Sequence, residues 1–259
     1  MKNILTLINR NFLIFFKKIN MNLFLYFLFP IFVYLFIVSP LSNLFDFIIS
    51  SSMTYTYHSI PAVIFTCTSM LALLIPLTII NRDSKNHFLY YIFTTKVTSN
   101  HYFLSVMIYS LICSYIEYII SFFIAVQLSD TGSNLGFIIS WNQIFSFSII
   151  ILPSILFFTS LGLFLSNFLK RIEYILISLI FIFLLISFGS ASFIPIDYYP
   201  SSYGSFIKDY NIIFQLFNMC ISIVENNRII LGTFIIAIFL SITFYVVNLI
   251  LFKKRGNIY

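Results

Sequence analysis

Six long apolar runs separated by short polar stretches set the plan of this 259-residue chain. They fall near residues 20–39, 60–80, 102–127, 143–168, 172–193 and 229–252. A helix needs about 20 predominantly apolar residues to cross a hydrocarbon core of ~30 Å, so each run predicts one membrane-spanning helix. The runs are continuous, and far longer than a strand that alternates in polarity, which excludes a transmembrane β-barrel. The pattern therefore predicts an all-α integral membrane protein with six transmembrane helices in a single transmembrane domain, residues 1–259.

Three segments outside these runs have patterns of their own. Residues 2–18, KNILTLINRNFLIFFKK, place Ile4, Ile8, Phe12, Phe15 and Phe16 on one helical face, with Lys2, Asn9, Arg10 and Lys17 elsewhere. This predicts a helix over 1–19 lying in the membrane interface. The competing expectation is a plain N-terminal extension of the first span.

Residues 81–101 are polar, and connectors between bundle helices usually need only about 2–8 residues. Residues 83–93 predict a short amphipathic helix with Phe88, Tyr91 and Ile92 on one side and Asp83, Lys85 and Asn86 elsewhere. Residues 94–100 predict a turn that caps the third span. The segment reads as a docking element, against the simpler expectation of a solvated connector.

In residues 194–228, Pro195, Pro200 and Gly204 break the helix, and Tyr198, Tyr199, Tyr203 and Tyr210 suit an aqueous interface. An amphipathic pattern returns from Phe206 to Val224. A re-entrant or interfacial helical hairpin before the last span fits this pattern. A seventh span is the alternative, and it would move the basic tail to the opposite side.

Composition supports the membrane assignment, with 60% hydrophobic residues, 8% charged residues and a mean hydropathy of +1.02. A soluble domain carries ~25% charged residues. The net charge of +6 does not point to nucleic acid, because the basic residues sit in short clusters beside apolar runs. All of the 14 Lys and Arg residues except Lys208 and Arg228 fall in the N-terminal segment, the 81–101 loop, the 169–171 corner and the tail. The excess of basic residues predicts that both termini lie in the cytoplasm, in a multi-pass protein of the cell membrane. Segments 40–59, 128–142 and 194–228 then face outward, with Asp46, Asp130, Asp197, Asp209 and Glu225. No cleavable signal peptide is expected, so the first span is read as a retained anchor. Cys67, Cys113 and Cys220 read as small packed side chains.

Glu117 is the one ionisable side chain well inside a predicted span, where a charge costs roughly 3 kcal/mol or more. Ser110, Ser114, Glu117 and Ser121 share one face of the third span. Two readings stand beside each other: the lining of a substrate path, and a polar helix–helix seam. Pro76 and Pro153 predict kinks in the second and fourth spans.

No G-x-x-x-x-G-K-[ST] phosphate loop, H-E-x-x-H or G-x-S-x-G occurs, and His58, His87 and His101 are isolated. No enzyme activity, cofactor or metal is expected in this chain. There is no internal repeat of the kind that marks many secondary transporters.

The order of parts resembles the membrane (permease) subunit of bacterial type-2 ABC exporters, over essentially the whole chain. Arg82-Asp83-Ser84-Lys85 stands where that family has a charged cluster, and Thr94-Thr95-Lys96-Val97-Thr98 is similar to its turn before span three. Pro195, Tyr199-Pro200 and the amphipathic stretch after them resemble its hairpin, and "LFKKRG" its tail. Asn211-Ile212 stands where the family commonly has Asn-Pro.

The resemblance implies that residues 81–101 are a coupling segment resting on a separate ATPase, with Arg82, Asp83, Lys85, Phe88, Tyr91, Ile92, Thr95 and Lys96 as coupling residues. It also implies two ATPase subunits that bind ATP and Mg, and a second permease chain, identical or paralogous. Ser110, Ser114, Glu117 and Ser121 are the substrate-path candidates. Short outward loops suit export of a hydrophobic or amphipathic compound such as a peptide, drug or lipid-linked molecule. The alternatives are a membrane immunity or sensor protein whose 81–101 loop binds a regulator, and an ATP-independent secondary transporter.

Overall fold

The computed structural model describes residues 2–48, 55–94, 97–128, 141–226 and 231–256, which contain no strand. In chain order the helices are α1 (Lys2–Lys17), α2 (Ile19–Val33), α3 (Ser39–Ile48), α4 (Tyr55–Lys85), α5 (Phe88–Thr94), α6 (Ser99–Leu128), α7 (Trp141–Leu165), α8 (Ile172–Leu184), α9 (Ser201–Tyr210), α10 (Ile212–Asn226) and α11 (Leu231–Gly256). A π-helical turn at Tyr34–Val38 joins α2 to α3, and a second at Leu185–Gly189 ends α8.

Among the described residues, six helices are long and apolar enough to cross a membrane: Asn22–Ser42, His58–Lys85, Ser99–Leu128, Phe145–Leu165, Ile172–Gly189 and Leu231–Lys253. The chain is a multi-pass membrane protein. Helix α10 has 15 residues, about 22 Å at 1.5 Å per residue, and falls short of the ~30 Å core.

Helix α4 is the centre of the bundle, flanked by α6 and α7, and α7 carries α11 on its other side. Residues Pro61–Met70 of α4 are buried without a break. Helices α2, α8 and α11 turn large apolar side chains outward, among them Phe24, Phe27, Ile177, Phe181, Ile235 and Phe239. In a bilayer this is the surface that meets lipid.

The approach of α4 to α7 is close enough to require a glycine. A Cβ on Gly162 would lie 2.5 Å from the Leu73 carbonyl oxygen and 3.1 Å from Cγ of Pro76.

Lys18 separates α1 from α2 with a non-helical ψ of 32°. The Asn22 side chain donates to the Phe15 carbonyl at 3.0 Å and so closes the end of α1. Helix α1 is therefore a separate element packed on α6, not a straight extension of the first span. Its inward face is Leu7 and Asn11, with Ile4, Ile8, Phe12 and Phe15 half-buried beside them, while Phe16 is exposed.

The C-terminal part of α11 lies at the same end of the bundle as the start of α6. The Phe103 and Phe252 rings are 4.9 Å apart, and the Tyr245 hydroxyl donates to Oδ1 of Asn100 at 2.6 Å. Helix α1, helix α5 and the end of α11 thus share one end, which also carries most of the described Lys and Arg residues.

At the opposite end, α8 stops in its π-turn, and Ala191 takes a left-handed φ of 55°. The carbonyls around this break find side-chain partners. Tyr199 donates to the Phe188 oxygen at 2.6 Å, Tyr55 to that of Phe193 at 2.8 Å, and Asn211 to that of Gly189 at 2.9 Å. Burial, and secondarily Tyr203 beside it, push the Tyr199 phenol up to about 12, so it remains a donor at any physiological pH.

Asn211 also caps α10, its Oδ1 accepting from the amides of Ile213 at 2.9 Å and Phe214 at 3.3 Å. Ile212 is then the first helical residue, the position at which a proline amide would go unmissed. Leu216, Phe217, Met219 and Cys220 of α10 are fully buried, and the helix packs on α4, α7 and α11.

Candidate functional site

The polar residues at the basic end are organised around one carboxylate. Asp83, in the last turn of α4, is fully buried. Its Oδ2 accepts from Arg10 Nη1 at 2.9 Å and from the Tyr102 hydroxyl at 2.9 Å. Its Oδ1 accepts from Arg10 Nη2 at 2.5 Å and Arg82 Nε at 3.2 Å. A carboxylate offers about four acceptor positions, and all four are used. Arg82 also donates to Oδ1 of Asn11 at 3.3 Å, and the Arg10 guanidinium lies 3.6 Å above the Phe88 ring. One network therefore joins α1, the end of α4, α5 and the start of α6.

This arrangement corrects the expected helix over 83–93. Helix α4 runs through Asp83 to Lys85 and turns at Asn86 and His87, whose φ is 57°. The short helix begins only at Phe88. Its faces also differ from expectation. Phe88 and Leu89 are half-buried and Ile92 is buried, whereas Tyr90 and Tyr91 are 70% and 65% exposed. Phe88 and Ile92 face the protein because the apolar floor formed by Ile79, Ile80, Tyr102 and Phe103 lies beneath them.

Of the coupling candidates, Tyr91 and Lys85 are exposed, Arg82 and Phe88 are half-buried, and Asp83 and Ile92 are buried. Thr95 and Lys96 lie outside the described residues. The expected cap of the third span is supplied by Thr98, whose hydroxyl accepts from the His101 amide at 3.4 Å.

The second cluster is the polar face of α6. Ser110, Ser114, Glu117 and Ser121 are all buried within the chain. Ser110 has a definable task. Pro76 has no amide hydrogen, so the carbonyl of Ala72 four residues earlier loses its helical donor. The Ser110 hydroxyl lies 3.2 Å from that oxygen and 3.3 Å from Oγ1 of Thr159 on α7. A serine of one membrane helix thus satisfies a carbonyl that a proline has freed in the next.

The Ser121 hydroxyl donates to Oε1 of Glu117 at 3.1 Å. Among the described residues, Glu117 Oε2 and Ser114 Oγ have no hydrogen-bond partner, and neither have the buried hydroxyls of Thr66, Thr68, Ser69 and Ser154 on α4 and α7. No basic side chain pairs with Glu117 among the described residues.

Replacing Ser110 with Ala is expected to destabilise the folded protein by about 1–3 kcal/mol, through the unsatisfied Ala72 carbonyl. In a Pro76→Ala background the helix supplies its own donor, and the penalty of Ser110→Ala should fall by at least half. A double-mutant cycle on thermal unfolding in detergent measures this coupling. Additive effects would remove the assignment.

The sequence shows Pro76 and Ser110 separately, but nothing in their spacing pairs them across 34 positions. For the Asp83 network a signal was present in the single polar Asn11 on the inner face of α1, which marks where that face meets something polar. Comparison of the chain with protein-family models, curated proteins and solved structures gave no match.

Proposed function

We propose that this chain is the permease subunit of a type-2 ABC exporter. In this reading two copies, or this chain and a paralogue, span the cell membrane and are driven by two separate ATPase subunits that bind ATP and Mg. The basic end is cytoplasmic, as the distribution of Lys and Arg favours. Helix α1 rests in the membrane interface there, and α9 and α10 form a re-entrant hairpin on the outer side. The substrate is a hydrophobic or amphipathic compound.

The observation that carries the reading is the placement of α5. A short helix between the second and third spans turns two exposed tyrosines outward while its other face is fixed to α1, α4 and α6. A partner that grips Tyr90 and Tyr91 can move three helices as one body, which is what a subunit driven from outside the membrane requires. Buried aromatic anchors commonly dominate protein interfaces.

The test is purification of the tagged chain from its own host in mild detergent, with ATP hydrolysis measured in the eluate. The natural chain is expected to carry an ATPase with it. Changing Tyr90 and Tyr91 to Asp is expected to lower the copurified hydrolysis at least tenfold. Both side chains are exposed, so the thermal midpoint of the permease itself should hold. An eluate that contains folded chain and no ATPase would falsify the reading.

A further inference from the structure

At the basic end a cleft of ≈ 360 Å³ is lined by Lys85, Lys170, Arg171, Ile172 and Glu173. Its walls come from two places in the chain, the last residue of α4 and the corner between α7 and α8. Lys85, Lys170 and Arg171 are exposed, and none is ion-paired among the described residues. Asp83, two residues from Lys85, is engaged by Arg10, Arg82 and Tyr102 and does not neutralise the cleft. Three cations therefore converge with one carboxylate, that of Glu173, which pairs with none of them.

Two further features define what fits. Arg171 is the N-cap of α8 in an extended conformation and makes no side-chain cap hydrogen bond among the described residues, so the first turn of α8, whose Ile172 and Glu173 line the cleft, carries amides with no side-chain cap from Arg171. Directly below, α8 becomes a membrane span, and Ile172, Leu176, Ile177, Ile180, Phe181 and Leu184 are all exposed along it. The cleft thus sits where hydrocarbon gives way to headgroups, with an open apolar surface running down from it.

We propose that this cleft binds the phosphate of an anionic membrane lipid, whose acyl chains lie along the exposed surface of α8. Lys85, Lys170 and Arg171 contact the phosphate, and Glu173 limits the affinity by repulsion. The cationic upper part and the apolar lower part match a lipid better than a free anion, which has no use for the second. Basic pockets between membrane helices have the chemistry to take such headgroups.

The test uses the full chain alone, so it is independent of any ATPase. The protein is reconstituted in nanodiscs of phosphatidylcholine mixed with phosphatidylglycerol, extracted, and scored for retained phosphatidylglycerol by native mass spectrometry. The natural chain should enrich phosphatidylglycerol over phosphatidylcholine. Lys170→Gln should weaken retention about fivefold, and the triple change Lys85→Gln, Lys170→Gln, Arg171→Gln roughly a hundredfold.

Glu173→Gln should strengthen retention, a gain that misfolding cannot mimic. Equal retention by the natural chain and the triple variant, or no gain with Glu173→Gln, overturns the proposal. Displacement of the lipid by millimolar inorganic phosphate would reassign the cleft to a free anion and overturn it as a lipid site.

Discussion

A chain carrying Gly162→Leu is expected to yield no folded protein that survives size-exclusion chromatography in detergent. The reason is the α4–α7 crossing. A Cβ at position 162 falls 2.5 Å from the Leu73 carbonyl oxygen, which belongs to a backbone and cannot swing aside. Even Gly162→Ala forces the two helices apart, and overpacking of this kind destabilises by about 1–3 kcal/mol. Helix α4 is the most buried element, so the displacement spreads to α6 as well. Gly232, near the start of α11, is the matched control, because none of the described residues lies within 4 Å of its would-be Cβ. Gly232→Ala should raise stability by about 0.5–1 kcal/mol through reduced chain entropy. Thermal midpoints for both alanine variants, measured in one detergent, decide the matter, and equal shifts would remove the packing argument.

The next largest effect is expected at Asp83. Asp83→Ala removes the group that both guanidinium groups and the Tyr102 hydroxyl share. Breaking a buried ion pair costs about 3–5 kcal/mol, and here the lower end applies, because the side chains of Arg10 and Arg82 keep 24% and 32% exposure and regain water. The consequence is local as well as global. Helix α1 should exchange its amide hydrogens faster across residues 2–17, while α7 and α8 remain as protected as before. Arg10→Ala should do the same, and the double variant should be no worse than about 1 kcal/mol beyond Asp83→Ala alone, since one interaction is being removed twice. Arg82→Ala should be milder, as Arg82 makes a single, longer contact with the carboxylate. Unchanged exchange of α1 in Asp83→Ala would dissociate the network from the position of that helix.

These two sites differ in how far the amino-acid sequence discloses them. The six spans are legible because hydrocarbon tolerates only apolar side chains on a self-satisfied backbone, so composition and length identify them together. Their ends are less so. The second apolar run covers 60–80, yet α4 extends from Tyr55 to Lys85. Hydropathy reports where water begins, whereas the helix continues until His87 adopts a left-handed conformation.

That extension is why Asp83 and Ile92, which the pattern assigns to opposite sides of one short docking helix, are both buried in the protein. Continuing α4 by one turn carries Asp83 under α1, and starting α5 at Phe88 rotates Ile92 toward Tyr102 and Phe103. The serine face of α6 was visible as a spacing, but the partner of Ser110 was not, because that partner is a backbone atom made available by Pro76 on another helix. Close approach at Gly162 leaves no trace in a local pattern at all.

The pairing of Arg10 with Asp83 also sets an order of events during synthesis. The two residues are 73 positions apart, and Tyr102 is further still. At roughly 5–20 residues per second, α1 leaves the ribosome about 4–15 s before its carboxylate exists. Through that interval Arg10 has no carboxylate to pair with, and the Leu7–Asn11 face of the helix has no α6 to pack on. Closure of the network is possible only after the second span has been threaded and the third has begun. The nascent chain can thus fasten its beginning before α7, α8 and α11 have been made, and the buried carboxylate acts as a latch on the first half of the bundle.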